Sequence, residues 1–188
     1  MKILVSVLST LIVLIIVCLI FIYSGWYEVS ASSEESGMIE WVLNTTKNNS
    51  IESRIDDISV PDLNDSIRIK EGFEHYNEMC VSCHGAPGKE ESELSKGLNP
   101  PAPYLVEEAE EKDPRELFWV TKNGIKMTGM PAWGKTHSDD KIWAIVAFMK
   151  KLPGLNGEGY ERMENESGML EEGHQHSDDT EQHNHTHN

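Results

Sequence analysis

The sequence predicts an all-α protein with a membrane-spanning helix at its start and a disordered tail at its end. Three observations carry this. From Ile3 to Tyr23 no side chain is charged. Between residues 65 and 155 apolar residues recur at helical spacing, and the runs are bounded by capping residues. Residues 156–188 are rich in Gly, Glu, Asp, Asn and His, with few apolar side chains after Leu170. Such a segment cannot bury enough surface to fold alone.

Charge divides the chain into the same pieces. Among 188 residues, 32 acids face 16 bases, a formal charge of −16. Residues 1–27 carry +1, 28–64 carry −6, 65–155 carry −3 and 156–188 carry −8. So acidic a chain is not a general nucleic-acid binder, which needs a basic surface. Three cysteines, Cys18, Cys80 and Cys83, exclude a disulfide-dense scaffold.

The apolar run of 21 residues makes a helix about 31 Å long, enough for a hydrocarbon core of about 30 Å. Trp26 and Tyr27 follow it as interfacial aromatics. Lys2 precedes it, and Glu28, Glu34 and Glu35 come after, which places the bulk outside the cytoplasm. Cleavage after Val29-Ser30-Ala31 is the alternative, but the run exceeds the roughly 7–15 residues of a signal core. Either way the domain is exported, so the expected location is the bacterial inner membrane, single-pass, facing the periplasm or exterior.

Residues 28–64 read as a tether with short helices. Met38, Trp41 and Val42, with Ile39 and Leu43, mark an amphipathic helix over 37–47, to lie on the membrane surface or against the domain. Asn48-Asn49-Ser50 is expected to break it. Ile51, Ile55 and Ile58 then repeat at helical spacing before Pro61.

The chemistry sits at Cys80-Val81-Ser82-Cys83-His84, the C-x-x-C-H sequence of c-type haem attachment. Two thiols add to the haem vinyl groups, and the next residue, His84, is held where its imidazole can ligate iron. A zinc site needs a second ligand pair, and this region has no other cysteine. A thioredoxin-like dithiol needs a βαβ setting, and no strand pattern surrounds these residues.

The flanks supply helices. Ile69, Phe73, Tyr76 and Cys80 share one face of a helix from Ser66 to Met79. Asp113-Pro114-Arg115-Glu116 starts another, which Asn123-Gly124 closes. Ser138-Asp139-Asp140 opens the last, with Ile142, Ile145, Val146 and Met149 inward, Lys150 and Lys151 at its C-terminus and Pro153-Gly154 beyond. For a second iron ligand the candidates are Met127, Met130 and His137. Met130 lies in Thr128-Gly129-Met130-Pro131-Ala132-Trp133-Gly134, whose glycines and proline can turn one side chain inward. Thioether opposite imidazole is the usual electron-transfer pairing.

On these residues, 66–153 resembles a class I cytochrome c, of the bacterial membrane-anchored monohaem type. Gly72 and Tyr76 are similar to the family's glycine and aromatic where its first and last helices cross, with Ile145 and Phe148 as partners. Pro103-Tyr104-Leu105 resembles a Pro-x-Leu whose proline carbonyl accepts the ligand histidine's N–H, which orients His84. Gly129-Met130-Pro131-Ala132-Trp133 resembles the distal loop, which favours Met130. The resemblance implies one covalent haem c held by Cys80, Cys83, His84, Pro103 and Met130. It implies an electron carrier serving redox protein partners, with no small-molecule substrate. The alternatives are a cytochrome subunit of a membrane dehydrogenase or terminal oxidase, and a haem-containing metal-handling module. The last draws on His174, His176, His183, His185 and His187, whose alternate spacing suits Cu, Ni or Zn.

Overall fold

The computed structural model describes residues 1–33 and 36–178. Among them it holds helices, turns and irregular chain, and no strand. The chain divides into two units, Met1–Ser36 and Gly37–Asn188.

The first unit is helix α1, Lys2–Tyr23, long and apolar enough to cross a membrane. Its side chains are exposed along its whole length. Phe21 meets Trp26 and Tyr27 at ring-centroid distances of 6.5 Å, so aromatics cluster just past its end.

In the second unit α2 spans Gly37–Glu52. The break expected at Asn48-Asn49-Ser50 does not occur. Each Asn costs a helix only about 0.7 kcal/mol relative to Ala. Burying an isoleucine stabilises by about 1.5–3 kcal/mol, and Ile51 and Ile55 are 5% and 8% exposed. Packing therefore overrides propensity. Ile58 and Leu63 also pack on the core. The tether expected over 28–64 is thus part of the folded domain from Ile51 onward.

Helix α3, Ser66–Met79, begins where the Asp65 carboxylate accepts from the Ile67 N–H at 3.0 Å. The expected face is buried: Phe73 is 1% exposed and Tyr76 is fully buried. A tight turn, α4 (Val81–His84), follows, then the short helices α5, Glu93–Lys96, and α6, Leu105–Glu108. Helix α7, Pro114–Asn123, is capped as expected, the Asp113 carboxylate accepting from the Arg115 N–H at 2.8 Å. The Arg115 guanidinium holds the Asp113 carboxyl below its ordinary range.

Helix α8, Asp139–Met149, is the centre of the domain, and every residue from Ile142 to Met149 is buried. It crosses α3 at Gly72, where a Cβ would sit 1.9 Å from the Ala144 carbonyl oxygen. Only glycine permits that approach. Phe148 seals the crossing, its ring 5.3 Å from those of Phe73 and Tyr76. On the other side Trp143 stacks on Phe118 of α7 at 4.2 Å. Lys150 does more than complement α8: its ammonium donates to the carbonyls of Ala109, Glu110 and Lys112 at 2.7, 2.7 and 3.0 Å, closing the turn after α6.

Helix α9, Gly157–Asp178, corrects the expected boundary. The composition predicts a disordered tail over 156–188, yet Tyr160 is 1% exposed and belongs to the core. Its ring lies 5.3 Å from Phe73, and its hydroxyl donates to Asn77 Oδ1 at 2.8 Å. Lys89 pairs with Glu164 across the same contact. The acids of the segment mask the signal in composition. Leu155, Tyr160 and Met163, which all join the core, were the local clue. His174 and His176 fall within α9. His183, His185 and His187 lie outside the described residues.

Candidate functional site

The site is built on the end of α3. Cys80 closes that helix, its N–H bonded to the Tyr76 carbonyl at 2.9 Å. The chain then winds one more turn: the N–H groups of Cys83 and His84 both reach the Cys80 carbonyl, at 3.1 and 2.8 Å. The spacing C-x-x-C-H therefore puts both sulfurs and the imidazole on one turn of backbone. Cys80 and Cys83 are free thiols. Burial, with Cys83 beside it, pushes the Cys80 thiol up to about 12, so it stands as neutral S–H.

Gly85 ends the turn at φ +73° and ψ 175°, a region that is essentially glycine-only. A Cβ there would meet the Tyr104 ring at 2.4 Å. The Tyr76 hydroxyl donates to the Gly85 carbonyl at 2.9 Å. Burial pushes that phenol well above its ordinary value, so it stays a neutral donor. Ser95 Oγ donates to the Cys83 carbonyl at 3.0 Å, and Ser92 Oγ donates to that of Ser82. The segment between the motif and α6 is thus folded back onto the motif.

That fold-back delivers Pro103. His84 Nδ1 lies 2.9 Å from the Pro103 carbonyl oxygen. A carbonyl only accepts, so Nδ1 carries the proton and Nε2 keeps its lone pair. Burial lowers the His84 pKa, against an opposing pull from the Pro103 carbonyl, so the ring is held neutral. A neutral imidazole with a free Nε2 is what a metal requires.

The candidates for the opposite ligand lie in different settings. Met127 is 96% exposed, its backbone at φ +61°. Met130 is half-buried. Its loop opens at Gly124, at φ +66° and ψ −175°, and closes where the Ile125 N–H meets the Met130 carbonyl at 3.2 Å. Thr128 braces it, donating to the Ile125 carbonyl at 2.9 Å and accepting from the Met130 N–H at 3.1 Å. A Cβ on Gly129 would sit 2.7 Å from Leu98 Cδ2, so this loop packs on the segment that carries Pro103. His137 is engaged elsewhere, edge-on to Trp133 at 5.6 Å and to His75 on α3 at 5.4 Å.

Sequence reasoning named Cys80, Cys83, His84, Pro103 and Met130. It missed Tyr104, Ser95 and Leu98, which hold the fold-back. Ser92 before Glu93 was a legible helix start. The contacts of Tyr104 and Leu98 join residues remote in sequence and had no local signal. Among the described residues, no group of three or more His, Cys, Asp or Glu is arranged to hold a further metal ion.

Residues 68–149 match the family model for cytochrome C oxidase, cbb3-type, subunit III. That span is under half of the chain. Comparison with curated proteins finds no match. The matched span contains the α3–α8 crossing, the C-x-x-C-H turn and the Met130 loop. Residues 68–149 form a class I c-type cytochrome domain, of the type in subunit III of cbb3 cytochrome c oxidases.

Proposed function

We propose that the protein is a membrane-anchored electron carrier with one haem c, bound through Cys80 and Cys83 and ligated by His84 and Met130. Bound there, the haem supplies one-electron redox chemistry. The donor set fits it: two free thiols and an imidazole on one turn, and a half-buried thioether on a loop packed against the same segment. The observation that carries the reading is the His84–Pro103 contact, which leaves Nε2 as the free lone pair. The chain's own work is to fix that ring and bury Cys80. Helix α1 serves as the retained single anchor in a bacterial inner membrane, with the domain on the periplasmic or outer side. The chain has no other proposed substrate.

Haem extraction and spectroscopy test this. Acid–acetone must leave the haem on the protein. The ferric form must show the weak near-infrared sulfur–iron band. Met130→Ala abolishes that band and lowers the reduction potential, while Met127→Ala keeps it. Loss of the band in the Met127 variant alone overturns the ligand choice. Release from membranes by carbonate overturns the anchor.

The family description favours a second reading, a cytochrome subunit of a terminal oxidase. Stoichiometric co-purification of further subunits would establish it. The tail histidines are proposed as a weak Cu, Ni or Zn site. Copper titration of the full chain against a truncation after Ser167, which spares Tyr160, decides that point.

A further inference from the structure

Helix α2 has two different ends. Ile51, near its C-terminus, is 5% exposed and packs into the domain. At its N-terminus Met38, Trp41, Val42 and Leu43 are 77%, 67%, 46% and 58% exposed. Val42 and Ile51 are nine residues apart, two and a half turns at 3.6 residues per turn. They therefore point to opposite sides of the helix. Met38, Trp41 and Val42 stand at i, i+3 and i+4 and form one ridge. Of the charged residues between 37 and 51, Glu40 lies about 200° and Lys47 about 140° from Val42 around the axis, both off that ridge. The middle of the Met38–Trp41–Val42 ridge thus lies about 130° around the axis from Ile51, off the side that grips the domain.

The chain's connectivity says what lies near. Thirteen residues separate Tyr23 from Gly37. They span at most about 45 Å. A ridge tethered this closely to a membrane span meets the bilayer at a high effective concentration. An apolar ridge opposed by a polar face is the pattern that lies in the headgroup–acyl boundary.

We infer that the first turns of α2 lie on the bilayer surface, with Met38, Trp41 and Val42 in the lipid interface. The helix then links the membrane to the cytochrome domain, Ile51 gripping the protein and Trp41 the lipid. This rests on the reading of α1 as a retained span.

The test uses the full-length, haem-loaded protein in nanodiscs made with lipids brominated near the headgroup end of the acyl chain, against the same lipids unbrominated. The Trp41 signal is the difference between the wild type and Trp41→Phe. Bromine should cut that component by about half or more, as interfacial seating demands. Trp26, beside α1, reports the anchor independently through Trp26→Phe. If Trp26 is quenched by bromine and Trp41 is not, the inference falls and the anchor stands. If neither is quenched, the anchor reading has failed and the inference falls with it. If Trp41 is shielded from aqueous iodide yet untouched by bromine, a protein partner or second copy covers the ridge, which also overturns the proposal. A second variant, Met38→Asn with Val42→Asn, should keep the haem spectrum and abolish the Trp41 quenching. Quenching unchanged in that variant would mean that the ridge does not seat the helix.

Discussion

The two segments proposed to hold the haem, after α4 and after α7, open with the same backbone device and then diverge. Gly85 after α4 and Gly124 after α7 stand at φ +73°, ψ 175° and φ +66°, ψ −175°, nearly the same conformation. After Gly85 the chain is held at many points: the Tyr104 ring, the Tyr76 hydroxyl, Ser95 and the Pro103 carbonyl. After Gly124 the loop is held by its own bonds through Thr128, by its own backbone packed on Gly124, by Lys122 against Gly134 and by the tip of Leu98. Charge divides the same way. Residues 85–111 carry seven acids against Lys89 and Lys96, while 121–138 carry Lys122, Lys126 and Lys135 and no acid. We read the His84 side as a seat tied to several segments, and the Met130 side as a cover held mostly by its own contacts, with a lysine-rich rim on an acidic chain.

The strongest way to break this contrast is to remove each side's attachment. Replacing Cys80 and Cys83 together by Ala should give apo-protein that does not fold properly. A domain this small depends on the haem for much of its apolar core. Met130→Ala should keep covalent haem and native helicity by circular dichroism. Equal loss in both variants would erase the difference between seat and cover.

Backbone substitutions come next. Gly85→Ala meets both a glycine-only conformation and the Tyr104 ring, and should cost about 3 kcal/mol, or roughly 10 °C in Tm. Gly124→Ala should cost as much, because its Cβ would lie 2.7 Å from the backbone at Pro131. Gly129→Ala meets only the end of a leucine and should cost about 1 kcal/mol or less. Thermal unfolding of the three oxidised variants checks the ranking. A Gly129 variant as damaged as Gly85 would mean that the cover is rigid.

Electrostatics give a smaller, kinetic effect. At ~0.1 M salt the Debye length is about 10 Å, so local charge governs the approach of a small reagent. Lys126→Glu with Lys135→Glu should slow electron transfer to ferricyanide roughly three- to tenfold. Lys89→Glu with Lys96→Glu should change it less than about twofold. Stopped-flow measurement of both pairs tells which rim lines the exchange edge, and the reverse order would move it to the His84 side.

The smallest effect lies outside both rims. Burial first, then Lys141 and His137, lower the His75 pKa from 6.5, against Glu71 and Glu78. Below pH 6.5 the unfolded chain thus binds the proton that the folded one resists, and stability falls as pH drops from there through the lower folded value. The ring is largely solvent-screened, so His75→Gln should reduce the loss between pH 7 and 5 by only about a degree in Tm. Identical pH profiles for both proteins would remove His75 from the acid limb.

Much of this was legible because it is local. The N-caps at Asp65 and Asp113 form within two residues of their acceptors. The C-x-x-C-H turn closes within four. The α3 face repeats on the helix's own period. What failed was read from composition or propensity alone. Asn48-Asn49-Ser50 did not stop α2, and the acids after residue 155 hid a tyrosine that belongs to the core.

The sequence by itself determined α3, α7 and α8, the length of the apolar helix α1 and the C-x-x-C-H turn, since each depends on residues a few positions apart. Tertiary structure decided the rest. It left Met127 exposed and Met130 half-buried, in a loop that closes on its own carbonyls and packs on Leu98. It brought the Pro103 carbonyl to His84 and so selected Nε2. It drew Ile51 and Tyr160 into a core that spans both expected boundaries, because a small domain gains more from buried apolar area than a few Asn or Glu residues cost.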